Sequence, residues 1–114
     1  MPLIYKIVPA SPWREAEREG RFRGSTVDRK DGFIHFSTAT QAEETAAKHF
    51  AGQRDLLLVS VDGDALGPAL IWEPSRGGAL FPHLYGDLAL NAVRKVEPLP
   101  LGPDGRHVFP PLVG

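Results

Sequence analysis

The sequence contains no cysteine, so disulfide bonds, thiolate nucleophiles and cysteine-based zinc sites are excluded. It also lacks an excess of either charge, because 13 lysines and arginines stand against 14 aspartates and glutamates. A protein that binds nucleic acid needs a basic face, and this composition predicts none. No apolar run approaches the roughly 20 residues of a membrane span, and the N-terminus lacks the basic lead of a signal peptide. We therefore expect a soluble, cytoplasmic protein with neither nucleic-acid nor membrane partners.

The apolar pattern of the chain predicts an α+β fold. With 114 residues, 42% of them hydrophobic, residues 1–114 fit one domain. Strands are predicted at residues 3–8, 32–37, 55–62, 69–74, 80–88 and 91–99. Helices are predicted at residues 11–20 and 38–52, where apolar residues recur at helical spacing. Both helices lie in the N-terminal half and do not alternate with the strands, so we expect a mainly antiparallel or mixed sheet.

Capping residues mark the predicted ends of both helices. Ser11 is expected to cap the first helix, and Gly20 is expected to end it. At the second helix either Thr38 or Thr40 matches the first position of a capping box.

Three further segments are predicted to be irregular. Residues 21–31 are polar and charged and are predicted to form a loop. Pro82 predicts that its segment is an edge strand or an irregular one, because proline has no N–H to donate to a sheet. The tail, residues 98–114, is rich in proline and glycine and either wraps the surface or is mobile.

The stretch "DGFIHFSTATQ", residues 31–41, is the first candidate site. Strand alternation places Phe33, His35 and Ser37 on one face, and Thr38 follows where a helix is predicted to begin. A helix start suits anionic groups such as phosphate. The alternative is purely structural, with the threonine capping the helix and the imidazole bonded to a neighbouring carbonyl. The sequence alone leaves both interpretations open.

The stretch "LIWEP", residues 70–74, is the second candidate. Glu73 at the end of a predicted strand can serve as a base, accept a hydrogen bond from ribose or stabilise an oxocarbenium ion. The alternative is an exposed carboxylate that pairs with an arginine.

The stretch "LFPHLYG", residues 80–86, is the third candidate. His83 and Tyr85 alternate onto one face and suit the wall of a pocket. The alternative is surface packing of two amphipathic rings.

Other chemistries have weaker support in the sequence. His35, His83 and Glu73 are residue types that bind zinc, but no metal-binding spacing joins them, and we expect no metal. A catalytic triad could be assembled from Ser37, His83 and Asp87, but the sequence lacks the G-x-S-x-G turn that usually carries the nucleophile. No glycine-rich phosphate loop of the Rossmann or P-loop kind is present.

These motifs, taken together and in order, resemble the bacterial family known as domain of unknown function 952. The matching segments are "IYKI", "DGFIHFSTATQ", "LLLVSVD", "WEP" and "FPHLYGDLALNAV", which run from about Ile4 to Val96. That family looks like a distant relative of the ADP-ribosyltransferase fold, in which two small sheets are split open around NAD. The resemblance therefore implies a small split sheet with a nucleotide in its cleft.

The resemblance also implies roles for individual residues. His35 matches the histidine that holds ribose, and Ser37 or Thr38 matches the hydroxyl beside it. Tyr85 or Trp72 would stack on nicotinamide. The late glutamate that stabilises the oxocarbenium ion has two candidates, Glu73 and Glu97, and the paired-acid motif of the members that modify proteins is absent. His83 has no counterpart and is a candidate for proton transfer.

Three functions follow as hypotheses. The first is an enzyme that acts on NAD or an ADP-ribosylated nucleotide at the anomeric carbon, with NAD as a substrate. The second is a module that binds a nucleotide or another small ligand without turnover. The third is a metal-dependent hydrolase built on His35, His83 and Glu73. The sequence does not identify a protein partner.

Overall fold

The computed structural model describes residues 3–112, except for the side chain of Arg76. Its α-helices are α1 (Ala10–Glu19), α2 (Thr26–Asp31) and α3 (Ala42–His49). Its strands are β1 (Leu3–Pro9), β2 (Arg21–Phe22), β3 (Ile34–His35), β4 (Leu56–Asp62), β5 (Leu70–Pro74), β6 (Leu80–Leu84), β7 (Leu88–Ala89) and β8 (Val93–Leu99). Short 3₁₀ turns occupy Gly63–Ala69, Arg76–Gly78 and Leu90–Ala92. The predicted α+β class is confirmed.

The strands form two three-stranded sheets, in the orders β1-β4-β8 and β3-β6-β5, and a two-stranded β2-β7 ribbon. All strand pairings within residues 3–112 are antiparallel. A single bridge joins the two larger sheets, where Tyr5 and Ser37 each donate an N–H to the other's carbonyl at 2.8 Å. Side chains of both sheets also pack in one buried cluster, where Ile34 and Leu84 join Ile4.

Apolar side chains alternate along β1, so that this strand contributes to both buried clusters of the core, as the apolar pattern of residues 3–8 predicts. Ile4 and Val8 pack in one cluster with Trp13 of α1. Tyr5 and Ile7 lie in the other cluster, which includes Ala46 of α3. The two helices therefore cover opposite faces of the β1-β4-β8 sheet.

The predicted starts of both helices are wrong. The first helix begins at Ala10, and Ser11 does not cap it because no side-chain cap is present. The second begins at Ala42 rather than near residue 38, since a turn occupies residues 39–41. Thr38 and Thr40 contact each other through their hydroxyls at 3.2 Å instead of capping the helix. The end of the first helix at Gly20, in the left-handed conformation, is confirmed.

Residues 21–31, predicted to be a loop, contain β2 and α2. The short helix is held by a capping box, in which the Asp28 N–H donates to Ser25 Oγ and the Ser25 N–H donates to Asp28 Oδ2. Asp28 thus replaces the glutamate or glutamine usual in this motif. Gly32 ends the helix in the left-handed conformation.

The prediction of an edge or irregular strand at Pro82 is also wrong, because β6 is the central strand of its sheet. The Phe36 N–H donates to the Pro82 carbonyl at 3.0 Å. Pro82 has no N–H to return, so the β3–β6 ladder ends at His35. This explains why the predicted strand at residues 32–37 forms only a two-residue ladder.

The tail returns along the surface after β8. The Val108 N–H donates to the Pro100 carbonyl at 2.8 Å, and His107 Nε2 lies 2.8 Å from the Gln53 carbonyl. Phe109 and Leu112 pack against the cluster that contains Tyr5. Residues 113–114 of the predicted tail lie outside the described residues.

Candidate functional site

One face of the β3-β6-β5 sheet carries most of the polar candidates. His35 of β3 lies directly opposite His83 of β6, and Ile71 of β5 lies opposite His83 on the other side. Because side chains alternate along a strand, Glu73 and Tyr85 emerge on this same face. The three segments that the sequence singled out are thus neighbouring parts of one surface.

A buried carboxylate holds His35 in place. Asp28 Oδ1 lies 2.6 Å from His35 Nδ1 and accepts the His35 backbone N–H at 3.1 Å. Lys6 Nζ lies 3.0 Å from Oδ1 and 2.8 Å from Oδ2, and the Ser25 N–H donates to Oδ2. Asp28 and Lys6 are only 2% and 6% exposed, so this ion pair is almost fully shielded from water.

Burial and pairing compete in setting the charge of this cluster. Burial by itself raises the pKa of Asp28, but the hydrogen bond from His35, the Lys6 charge and the Ser25 N–H together hold that pKa well below its ordinary value. Burial lowers the pKa of Lys6, and the attraction of Asp28 offsets only part of that effect. The carboxylate is therefore ionised at neutral pH.

His35 meets a carboxylate at each ring nitrogen. Nδ1 bonds to Asp28, and Nε2 lies 2.9 Å from Oδ2 of Asp31, which is exposed. A neutral imidazole has one N–H, so only the doubly protonated ring donates to both carboxylates. Both ring nitrogens of His35 are therefore placed beside carboxylate oxygens.

His83 has a separate carboxylate partner. Its Nδ1 lies 2.7 Å from Glu73 Oε1, which also accepts the Tyr85 hydroxyl at 2.7 Å. These hydrogen bonds, from Tyr85 first and His83 second, lower the pKa of Glu73, while the bond to Glu73 raises the pKa of Tyr85. Within residues 3–112 the Nε2 atom of His83 makes no hydrogen bond.

Phe33 packs against the rings of both pairs. Its ring stacks on His83 with centroids 4.1 Å apart, and it lies 4.6 Å from the His35 ring. The two imidazole centroids are 5.6 Å apart. Phe33 thus limits the directions in which either imidazole can turn.

The imidazoles line a cleft of about 850 Å³. Its wall includes Lys6, Asp28, His35, Ser37 and His83. Three phenylalanines, Phe36, Phe50 and Phe81, supply apolar surface. A mostly apolar cleft of this size with a few polar groups is typical of a small-molecule site.

Residues 7–96 match the family described as protein of unknown function (DUF952). This protein belongs to the DUF952 family. The crystal structure of protein CC0527 from Caulobacter crescentus is 51% identical over 93% of each chain, with a TM-score of 0.90. The solution NMR structure of CC0527 is 52% identical and covers 93% of this chain and 91% of that one, with a TM-score of 0.84. No curated protein matches the chain. The predicted family membership is confirmed.

Three of the residues predicted for the site line the cleft of this DUF952 protein, namely His35, Ser37 and His83. Glu73 and Tyr85 reach the cluster through the His83 ring rather than through the cleft wall.

The other two predicted residues lie away from the cleft wall. Thr38 lies beyond its edge, where its N–H donates to Gln41 Oε1 at 3.0 Å. Trp72 is 41% exposed and emerges on the opposite face of β5 from Glu73.

Lys6 and Asp28 complete the DUF952 site, and neither is among the residues predicted for it from the sequence, whereas Phe33 was predicted to share a strand face with His35. Asp28 had a local signal, because "STVD" at residues 25–28 matches the spacing of a capping box. Lys6 is the charged residue in the middle of β1, whose central residues are buried on both faces of the strand. A charged residue at such a position requires a partner, and that requirement was the available clue.

The polar residues of the DUF952 chain form no evident metal centre within residues 3–112. No group of three histidine, aspartate or glutamate side chains in that range could hold a metal ion. His35, His83 and Glu73 are instead engaged in hydrogen bonds. Among the same residues no helix has the length and apolar character needed to cross a membrane.

Proposed function

We propose that this DUF952 protein binds a ribosyl nucleotide of the NAD or ADP-ribose class in its cleft and acts at the anomeric carbon, as an ADP-ribosyltransferase-like enzyme. One observation carries the proposal. His35 and His83, each bonded through Nδ1 to a carboxylate, meet on one wall of a cleft of about 850 Å³. Imidazoles oriented in this way are suited to proton transfer through the remaining nitrogen.

The charges around the two imidazoles support chemistry at an anomeric carbon. Asp28, Asp31 and Glu73 place three carboxylates around the rings, and Lys6 is the cation paired with one of them. Cleavage of a glycosidic bond creates positive charge on the sugar, which nearby carboxylates stabilise. The same carboxylates disfavour chemistry at a phosphoryl group, whose transition state is anionic.

The remaining lining suits the two ends of a nucleotide. Ser37 and Thr45, whose hydroxyl oxygens lie 2.8 Å apart, can exchange this bond for bonds to ribose hydroxyls. Phe50 and Phe81 offer apolar surface to a base. Tyr85 is a better candidate than Trp72 for stacking near the imidazoles, because Trp72 emerges on the other face of the sheet.

Binding of ADP-ribose and NAD, measured by calorimetry and thermal shift, tests this proposal. At about 100 times Kd a ligand that binds only the folded protein adds roughly 2.7 kcal/mol to the free energy of unfolding. We expect ADP-ribose to bind the native protein, and His35→Gln to weaken binding at least tenfold. The matched control is His107→Gln, which changes a histidine that does not line the cleft, and it should bind normally.

Two results would count against the proposal. If calorimetry detects no heat of binding and the melting temperature does not change with millimolar ADP-ribose and NAD, the proposal is wrong. If the protein binds ADP-ribose or NAD but releases neither nicotinamide nor ADP-ribose from any ribosyl compound, the result would favour a binding module without catalytic activity.

A further inference from the structure

We infer that the substrate carries its ribosyl group on the oxygen atom of an alcohol, as an acetal, and that His35 protonates the leaving oxygen while His83 activates water. This inference rests on the proposed function, because it assigns a substrate class to the same cleft. It follows from a feature that the nucleotide-binding proposal does not use, namely the different hydrogen bonding of the two imidazoles.

His35 has the environment of an acid. Carboxylates lie at both ring nitrogens, at 2.6 Å from Nδ1 and 2.9 Å from Nε2, so a ring that carries two protons can donate to both. Asp28 is buried, and its carboxylate is fixed by three other hydrogen-bonding atoms, whereas Asp31 is exposed at the end of α2. The Asp31 carboxylate can therefore leave Nε2 when a leaving oxygen takes its place.

His83 has the environment of a base. Glu73 binds Nδ1 and so fixes the proton of a neutral ring on that nitrogen, which leaves the lone pair on Nε2. Among the side chains that the structure describes, which exclude that of Arg76, none donates to that lone pair. The ring is only 5% exposed but still lines the cleft, where a water molecule can reach it.

The two rings are placed to act on the same bond. His35 and His83 are opposite each other on neighbouring strands, and their centroids are 5.6 Å apart. Backbone pairing fixes their relative position, and Phe33 packs against both. An acid and a base that flank a scissile bond at fixed separation are the requirement for hydrolysis of a glycosidic bond.

The inferred step balances in protons and electrons. Water attacks the anomeric carbon and gives its proton to Nε2 of His83. The bond from that carbon to the leaving oxygen breaks, and Nε2 of His35 gives its proton to that oxygen. The products are ADP-ribose and an alcohol, and exchange with solvent restores both rings.

The acid is what distinguishes an oxygen-linked substrate from NAD. Nicotinamide leaves NAD as a neutral molecule and needs no proton, so an imidazolium contributes nothing to its departure. An alkoxide is a poor leaving group, and protonation by a positioned acid accelerates its departure by roughly 10²–10⁴-fold. A protonated ring at His35 therefore assists the departure of a poor leaving group such as an alkoxide and contributes nothing to the departure of nicotinamide.

Two ADP-ribosyl substrates that differ in leaving group test the assignment. One is the ethyl glycoside of ADP-ribose, whose ethoxide needs a proton, and the other is 4-nitrophenyl ADP-ribose, whose phenolate does not. We expect the protein to hydrolyse both substrates. His35→Gln should lower the rate of hydrolysis at least 100-fold for the ethyl glycoside and less than 10-fold for the nitrophenyl compound. His83→Gln should lower the rate of hydrolysis of both substrates.

Asp31→Asn tests the acid without altering the buried pair, since Asp31 is exposed. This substitution should slow hydrolysis of the ethyl glycoside more than hydrolysis of the nitrophenyl compound. His107→Gln should change neither rate. Thermal melts of all four variants establish that each is folded.

Three outcomes overturn the inference, and they differ in what they say of the proposed function. Equal losses on both substrates in His35→Gln would show that His35 is no acid. If the protein binds ADP-ribose but hydrolyses neither glycoside, or if it cleaves NAD faster than both, the inference is wrong. The proposal of a nucleotide site would still stand in either case. Failure to bind any ADP-ribosyl compound would remove the proposed function and the inference together.

Discussion

At the scale of single residues, the contact between Lys6 and Asp28 dominates the energetics of the site. Both groups are almost fully buried, and the carboxylate accepts hydrogen bonds from a lysine, an imidazole and two backbone N–H groups. Removing one partner from such a pair leaves a charge buried without compensation. The same carboxylate also fixes His35, so stability and function depend here on one side chain.

We expect Asp28→Asn to lower the free energy of unfolding by about 3–5 kcal/mol at pH 7, because Lys6 then remains buried without a counter-charge. Urea denaturation measures the effect. The matched control is Asp87→Asn, which makes the same change in an exposed pair with Arg21 at 3.5 Å. That control should lose no more than about 1 kcal/mol. A loss below 1 kcal/mol for Asp28→Asn would mean that the pair is not the buried contact described above.

At the scale of elements, α2 is too short to be stable by itself. A helix of six residues has few internal hydrogen bonds, so its ends must be satisfied by other groups. Ser25 and Asp28 provide this through their reciprocal bonds at the N-terminus. The capping box therefore also sets the position from which Asp28 reaches His35.

Ser25→Ala should reduce the free energy of unfolding by about 1 kcal/mol, because the first turn of α2 loses its cap. Ser11→Ala is the matched control: Ser11 lies in the first turn of α1 but makes no cap bond there. That variant should stay within about 0.5 kcal/mol of the wild type. Equal losses in the two urea titrations would contradict the assignment of the caps.

The long elements of this fold could be predicted from the sequence, and so could a strand around β3, but the bounds of the short strands could not. β1, β4 and β8 have seven residues each, and their apolar patterns were sufficient to locate them. β2, β3 and β7 have two residues each, which is too few for any period to appear. Their existence depends on partners far along the chain, such as Leu84 opposite Ile34.

The candidate site was predictable only in part, for a related reason. His35, Ser37 and His83 stood out because polar side chains interrupted apolar strands. Asp28 stood in a polar segment, where its spacing from Ser25 indicated at most a helix cap, and only the fold shows that it is buried. The bonds from Asp28 to His35 and from Glu73 to His83 depend on sheet register, which local patterns do not determine.

At the scale of the whole molecule, the site belongs to no single segment. Lys6 comes from β1, Asp28 from α2, His35 from β3 and His83 from β6. A backbone bridge between Tyr5 and Ser37 joins the two larger sheets, one residue away from Lys6 and two from His35. The cluster therefore lies at the junction of the sheets, so ionisation of its groups affects the stability of the entire fold.

The sign of the resulting pH dependence follows from Asp28. Its pKa in the folded protein lies well below the ordinary value, so the folded state favours the ionised carboxylate. The resulting stabilisation is fully present above the pKa of the unfolded chain, about 4, and is lost as the pH falls toward the lower folded value. Acid should therefore weaken this protein, and Asp28 should account for part of the loss.

The difference in free energy of unfolding between the wild type and Asp28→Asn should consequently shrink as the pH is lowered from 7 to 3. A protonated carboxyl resembles the amide of asparagine, since neither carries the charge that Lys6 needs. Urea titrations of both proteins at pH 7, 5, 4 and 3 measure the difference at each value. A difference that stays constant over this range would show that the Asp28 charge makes no contribution to holding the two sheets together.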